Sequence, residues 1–268
     1  MIYRDSNYNY LEVARDNITR TTYVHKFGDA PDFDFGDGEV DIWGGANDGG
    51  IAQYEYVWST TAAIDSISSS SASDTVDIQI QGLDANLELV TQVATLSGQT
   101  RVALTTPLIR VFRAKNNSYP GVNLAGTAYV YENTALVGGV PSDTTKVRLV
   151  LDNGDNQTLM ALYTVPINYT AYMMSFYATT AGAAQDTQYQ IRLKAREYNG
   201  TDWGAWQLKH LDAISDVGAG RMLHEYNPPQ KFDGGTDIIM SAQATSNAIG
   251  ANIAAGFTII LVEDYNGC

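Results

Sequence analysis

The sequence predicts an all-β protein whose antiparallel strands pack as a sandwich or barrel. Three observations carry that expectation. Apolar and polar residues alternate with period two along most of the chain, the runs are rich in β-branched and aromatic residues, and clusters of Gly, Asn, Asp and Pro separate them. Helical periodicity is nearly absent, so nothing is long enough to serve as the crossover that a parallel pair requires. About a dozen runs, spaced roughly 10–20 residues apart, therefore pair antiparallel.

The chain starts with a different kind of segment. Residues 1–22 interleave Tyr3, Tyr8 and Tyr10 with Arg4, Asp5, Glu12, Arg15, Asp16 and Arg20, and fit neither strand nor helix. The reading is an extended N-terminal arm, 1–22, ahead of a β-sandwich domain, 23–268. A helix over 10–18 is short and interrupted by Asn, and is not expected in the core. Tyrosines in a tail bury little against their own domain unless the tail lies on a surface. Tyr3, Arg4, Tyr8, Tyr10, Leu11, Arg15, Ile18 and Arg20 are accordingly the candidate partner-binding residues.

The acidic run 29–41 invites a calcium reading, because hard cations take several carboxylate oxygens. Asp32, Asp34 and Gly36 occupy the first, third and fifth positions of such a loop, so a ligand is missing and a solvated acidic turn is expected. A strand is then read over 53–59. The low-complexity stretch 65–74, DSISSSSASD, reads as a mobile polar loop. The clearest strand is 75–81, where Val76, Ile78 and Ile80 face one way and Asp77, Gln79 and Gln81 the other. The same logic places strands at 87–96, 108–115, 126–132, 146–151, 158–165, 170–179, 189–198, 206–214, 221–226, 237–244 and 257–263. Turn clusters at 137–145 and 152–157 mark a possible division into two β layers near 140–157. A helix over 248–255 is short and not expected in the core.

Composition narrows function. Lys+Arg 16 against Asp+Glu 30 give a net charge of −14, which argues against a nucleic-acid partner, since phosphate binding depends on Lys and Arg. No basic run offsets it. With Cys268 the single cysteine and the last residue, no intrachain disulfide forms. No segment reaches the ~18 apolar residues of a membrane helix, and the N-terminus lacks the apolar core of a signal peptide. Cytosolic synthesis without a membrane partner is the expectation. His25, His210 and His224 fall in unrelated contexts, and no nucleophile elbow, P-loop, GxGxxG, HExxH or CxxC pair is present. No catalytic residue, cofactor or metal ligand is expected. Trp43, Trp58, Trp203 and Trp206 are possible sugar-stacking platforms, although the same residues serve strand cores and subunit interfaces.

One resemblance goes further. His25-Lys26-Phe27-Gly28, Asp41-Ile42-Trp43, Gln81-Gly82-Leu83-Asp84-Ala85-Asn86 followed by Glu88, Ile109-Arg110-Val111-Phe112-Arg113, the decapeptide from Gln157 to Pro166, and Ala254-Ala255-Gly256-Phe257 resemble ordered segments of a family of tailed-bacteriophage virion proteins. These are auxiliary capsid (decoration or cement) proteins, and the similarity spans roughly 23–263. It implies a jelly-roll-like sandwich assembling as a homotrimer on the outer surface of an icosahedral head, where it clamps neighbouring major capsid subunits. No catalytic residue is implied. The alternative is a phage tail or head-fibre component that binds or cleaves host surface carbohydrate.

Overall fold

A computed structural model describes residues 11–46, 50–118, 121–181, 187–215, 220–245 and 250–264. In chain order the strands are β1 (Thr21–Phe33), β2 (Glu39–Asp41), β3 (Ile64–Ser69), β4 (Asp77–Leu83), β5 (Leu89–Thr95), β6 (Val102–Leu108), β7 (Arg110–Asn116), β8 (Ala128–Glu132), β9 (Leu136–Val137), β10 (Val140–Pro141), β11 (Val147–Leu151), β12 (Leu162–Thr164), β13 (Tyr169–Ala181), β14 (Gln188–Arg196), β15 (Gln207–Ser215), β16 (Gly220–Phe232), β17 (Asp237–Ala244) and β18 (Ala251–Glu263). All their pairings are antiparallel, as the alternating pattern requires. The protein is an all-β sandwich.

The first sheet runs β1-β18-β13-β16 and the second β12-β17-β14-β15. β2 joins the second sheet on β17, pairing with Ser241, Ala242 and Gln243, while β12 pairs with Asp237, Ile238 and Ile239. Two short segments distant in sequence thus share one strand position. Counting that position once, the eight places run 1-8-3-6 in the first sheet and 2-7-4-5 in the second.

The two sheets face each other. Phe33 of β1 lies 6.0 Å from Tyr189 of β14, and Phe176 of β13 lies 5.0 Å from His210 of β15. Period two dictates the inner layer: Ile253, Ala255, Phe257, Ile259 and Leu261 of β18 are buried, as are Tyr189, Ile191, Leu193 and Ala195 of β14. On β13 the buried set changes parity, from Ala171 and Met173 to Phe176 and Ala178. Pairing passes from Met173↔Ile259 directly to Ser175↔Thr258, so Met174 is a bulge that turns the following side chains over.

Between β2 and β12 the chain leaves this pair and builds a sheet β11-β8-β3-β6, a sheet β5-β4-β7 and the hairpin of β9 and β10. Their buried residues join the same hydrophobic cluster as the first two sheets. The turn cluster at 152–157 lies where the chain returns from β11 towards β12. Gly28 marks how closely the two parts meet: a Cβ there would stand 2.5 Å from both Ala161 N and Ile42 O.

Several expectations need correction. The polar stretch 65–74 is not a mobile loop, because Ile64–Ser69 is β3, flanked on both sides by β8 and β6. Ser66, Ser68, Ser69 and Asp74 are buried with their polar atoms satisfied. Ser68 donates to Gly139 O (2.8 Å), Arg101 Nε donates to Ser66 Oγ (2.6 Å), and Asp74 takes the Ser69 hydroxyl and the Ala125 and Gly126 amides. Composition cannot see such partners. Residues 53–59, by contrast, form no strand, and side chains hold them instead: Trp43 Nε1 donates to Gln53 O (3.0 Å) and Tyr56 N to Asp41 Oδ2 (2.9 Å). β1 starts at Thr21, inside the expected arm, and residues 11–14 make a helical turn closed by Arg15 N to Leu11 O (3.0 Å).

Candidate functional site

The densest chemistry sits on the outward face of the second sheet. Because Ile191, Leu193 and Ala195 point inward, Arg192, Lys194 and Arg196 of β14 point out, beside Asp237 and Ser241 of β17 and Glu39 and Asp41 of β2. Asp237 is fully buried. It accepts Nε and Nη2 of Arg110 (both 2.9 Å), Nε of Arg196 (2.9 Å) and the Thr164 hydroxyl (2.6 Å). One carboxylate thus faces two guanidiniums, and aromatic faces lie against the surplus charge. Arg110 lies 3.9 Å from the Trp203 ring and 5.1 Å from Trp58, and Arg196 lies 4.7 Å from Trp206. Trp203 Nε1 also donates to Gly235 O (2.8 Å), and Trp43 is buried edge-on to Tyr56. The tryptophans read as sugar platforms are therefore engaged in internal packing.

Glu39 and Asp41 form a second cluster. Lys194 Nζ lies 2.6 Å from Glu39 Oε1 and 3.4 Å from Asp41 Oδ1, while Arg192 and the Ser241 hydroxyl also bind Glu39. Burial pushes Asp41 up to about 6 against the pull of Lys194. Burial also acts to raise Glu39, but hydrogen bonds from Lys194 and Ser241 outweigh it and hold the group below the usual range. Split carboxylates beside Trp58 and Trp206 have the form of an acid/base pair. The cavity, however, measures about 180 Å³, below the roughly 300 Å³ at which ligand pockets begin, and Lys194 bridges both groups. The arrangement ties β2 to β14 across β17.

A third feature is a groove of about 260 Å³ lined by Tyr23, Lys26, Leu89, Arg113 and Tyr163, among others. Lys26 is buried, donates to Phe112 O, and is pushed down to about 7 by desolvation and by Arg113. Its neighbour His25 is lowered by burial and by Lys26. Segments 25–28, 41–43, 81–88, 109–113, 157–166 and 254–257 converge on this junction. Lys26 pairs with Phe257 and Phe27 with Gly256, Ile109 N donates to Leu83 O (2.8 Å), and Ala161 N donates to Ile42 O (2.9 Å).

The arm residues are only partly brought together. Tyr3, Arg4, Tyr8 and Tyr10 lie outside the described residues. Leu11 and Ile18 are exposed. Arg15 pairs with Glu12 (3.4 Å) within the arm. Arg20 is tied to its own domain, with Nε 3.3 Å from Glu263 and Nη2 donating to Asp264 O (2.6 Å), so it anchors the arm instead of reaching outward. The acidic run divides its oxygens: Asp37 Oδ2 accepts Asp34 N (2.8 Å), Asp34 Oδ1 accepts Gly250 N (2.7 Å), and Glu39 goes to Lys194. His210 and His224 fall in unrelated contexts in the sequence, yet their rings stand 4.1 Å apart with Asp212 beside them. Same-face spacing of His210 and Asp212 is visible in an alternating strand; the approach of His224 is not.

No family model matches the chain, and no curated protein matches it. Among solved structures it is similar to a chain in the structure of the infectious bursal disease virus Gt strain, at 10% identity and a TM-score of 0.20, covering 100% of this chain and 76% of that one. A TM-score of that size defines neither fold nor function.

Proposed function

We propose that the chain is a structural virion protein of a tailed phage: a homotrimeric decoration or cement protein on the outer capsid surface that clamps neighbouring major capsid subunits. It is a non-enzymatic protein made in the bacterial host cytoplasm, with no catalytic cofactor, nucleic acid or membrane in its role. The strand order carries the reading. Facing sheets of order 1-8-3-6 and 2-7-4-5 support a jelly-roll reading, a layout used by viral capsid domains and by lectins. Between those two uses, the internal engagement of Trp203 and Trp206 favours the structural one. The phage resemblance of the segments meeting at the Lys26 junction points the same way. Edge strands add support, since β15 and β16 expose Leu208, Leu211 and Leu223, and exposed apolar edges invite symmetric closure against other copies.

Binding of the purified chain to heads lacking it tests the reading. Saturable binding in a cryo-EM map, as trimers at fixed lattice positions, is expected. A glycan-array hit abolished by Trp206→Ala, with no head binding, would replace it with the carbohydrate-binding alternative.

A further inference from the structure

We propose that His210, Asp212 and His224 bind one divalent transition-metal ion of the zinc class and so clamp the open edge of the sandwich. The site arises from strand geometry. His210 and Asp212 lie two residues apart on β15 and pair with the inward-pointing Leu193 and Ile191, which turns both side chains to the inner face. His224 on β16 pairs with the buried Phe176 and faces inward from the other sheet. β15 is the edge of the second sheet and β16 the edge of the first, and the two strands are not paired with each other. An ion held by all three would join two edge strands that do not pair with each other among the described residues.

The donor set suits such an ion. One atom from each residue can be chosen so that all lie within 4.8 Å of one another, and His210 Nε2 is 3.7 Å from Asp212 Oδ2. Ligands held at about 2.0–2.2 Å around tetrahedral zinc stand roughly 3.4 Å apart, so small side-chain rotations close the site. Two imidazoles and one carboxylate select zinc-like ions over calcium or magnesium, which prefer all-oxygen shells. The usual cost of fixing a ligand is partly met already: Asp212 Oδ1 accepts the Ala213 amide (3.0 Å), and both imidazoles pack against Phe176, at 5.0 and 5.1 Å. Three protein ligands leave a position for water. The Tyr226 hydroxyl, buried without a hydrogen-bond partner on a ring 4.7 Å from His224, is the kind of group such a water would satisfy.

Calorimetric titration of Zn²⁺ into the metal-stripped, tag-free full chain tests the site. One ion per chain is expected, with affinity weakened at least about tenfold in His210→Ala and in His224→Ala and less in Asp212→Asn. Zinc should raise the melting temperature of the unmodified chain by several degrees and leave the histidine variants nearly unmoved. Binding that is absent, or unchanged in His224→Ala, overturns the proposal. Should the histidine variants fail to fold, Co²⁺ added to the unmodified chain decides: the intense visible absorption of a four-coordinate ion supports the site, and the spectrum of the aqueous ion alone overturns it.

Discussion

Asp237 is the residue on which most depends. Its carboxylate is shared by Arg110 and Arg196 where Arg110 is nearly inaccessible to water, so removing it leaves two neighbouring guanidiniums without their counter-charge. Breaking a buried pair from one side costs about 3–5 kcal/mol. Asp237→Ala should therefore lower unfolding free energy by about that amount in urea titrations, whereas Arg15→Ala, at an exposed pair, should cost no more than about 1 kcal/mol. Lys26 and Asp41 shape the pH response with opposite signs. The folded Lys26 releases its proton near 7 while the unfolded chain keeps it to about 10.5, so this group makes stability rise with pH across that interval. Asp41 holds its proton to about 6 when folded and loses it near 3.8 when unfolded, so its contribution falls as pH rises between those values. Chemical unfolding from pH 4 to 10 should show both slopes, with Lys26→Met removing the alkaline rise and Asp41→Asn the acidic fall.

At the level of elements, the arm and β1 meet at a definite place. Thr21 and Thr22 pair with Val262 and Leu261, and Arg20 holds Glu263 and Asp264. Deleting residues 1–19 should spare these contacts and lower the melting temperature by only a few degrees, since Val13 is the one buried residue among 11–19. Deleting 1–22 should lower it measurably in a calorimeter, because the cut enters the strand. If the arm docks on a partner, both truncations reduce occupancy on phage heads, and unchanged occupancy would assign that contact elsewhere. The most legible elements in the sequence are those with one wetter face: alternation at 75–81 leads to β4, and that at 189–198 to β14. β1 was less legible, since its buried side carries Lys26, Gly28 and Ala30, which make no apolar stripe. β3 was hidden for a related reason, its serines being satisfied by groups as distant as Gly139 and Arg101.

For the whole molecule, assembly is the decisive property. A trimer should appear in light scattering at three times the 29.1 kDa chain mass. A monodisperse monomer at micromolar concentration that also fails to form trimers on heads would remove the assembly from the proposal. The charge of −14 keeps free copies apart, so trimer formation should strengthen as salt screens their repulsion over a Debye length near 10 Å at 0.1 M.

The sequence alone determined the β class, the antiparallel pairing and most strand positions. Those follow from a period of two and from turn residues, which act between near neighbours. Tertiary structure alone decided that β2 and β12 share one strand position, that the chain between them builds two further sheets, and that Trp58, Trp203 and Trp206 lie against Arg110 and Arg196. It also decided which candidate residues meet. Asp237 reaches Arg110 across 127 residues of chain, and His224 reaches His210 from another sheet. Alternation tells which side of a strand is buried, but the partner across the interior depends on strand order, and strand order is set by packing that no local pattern encodes.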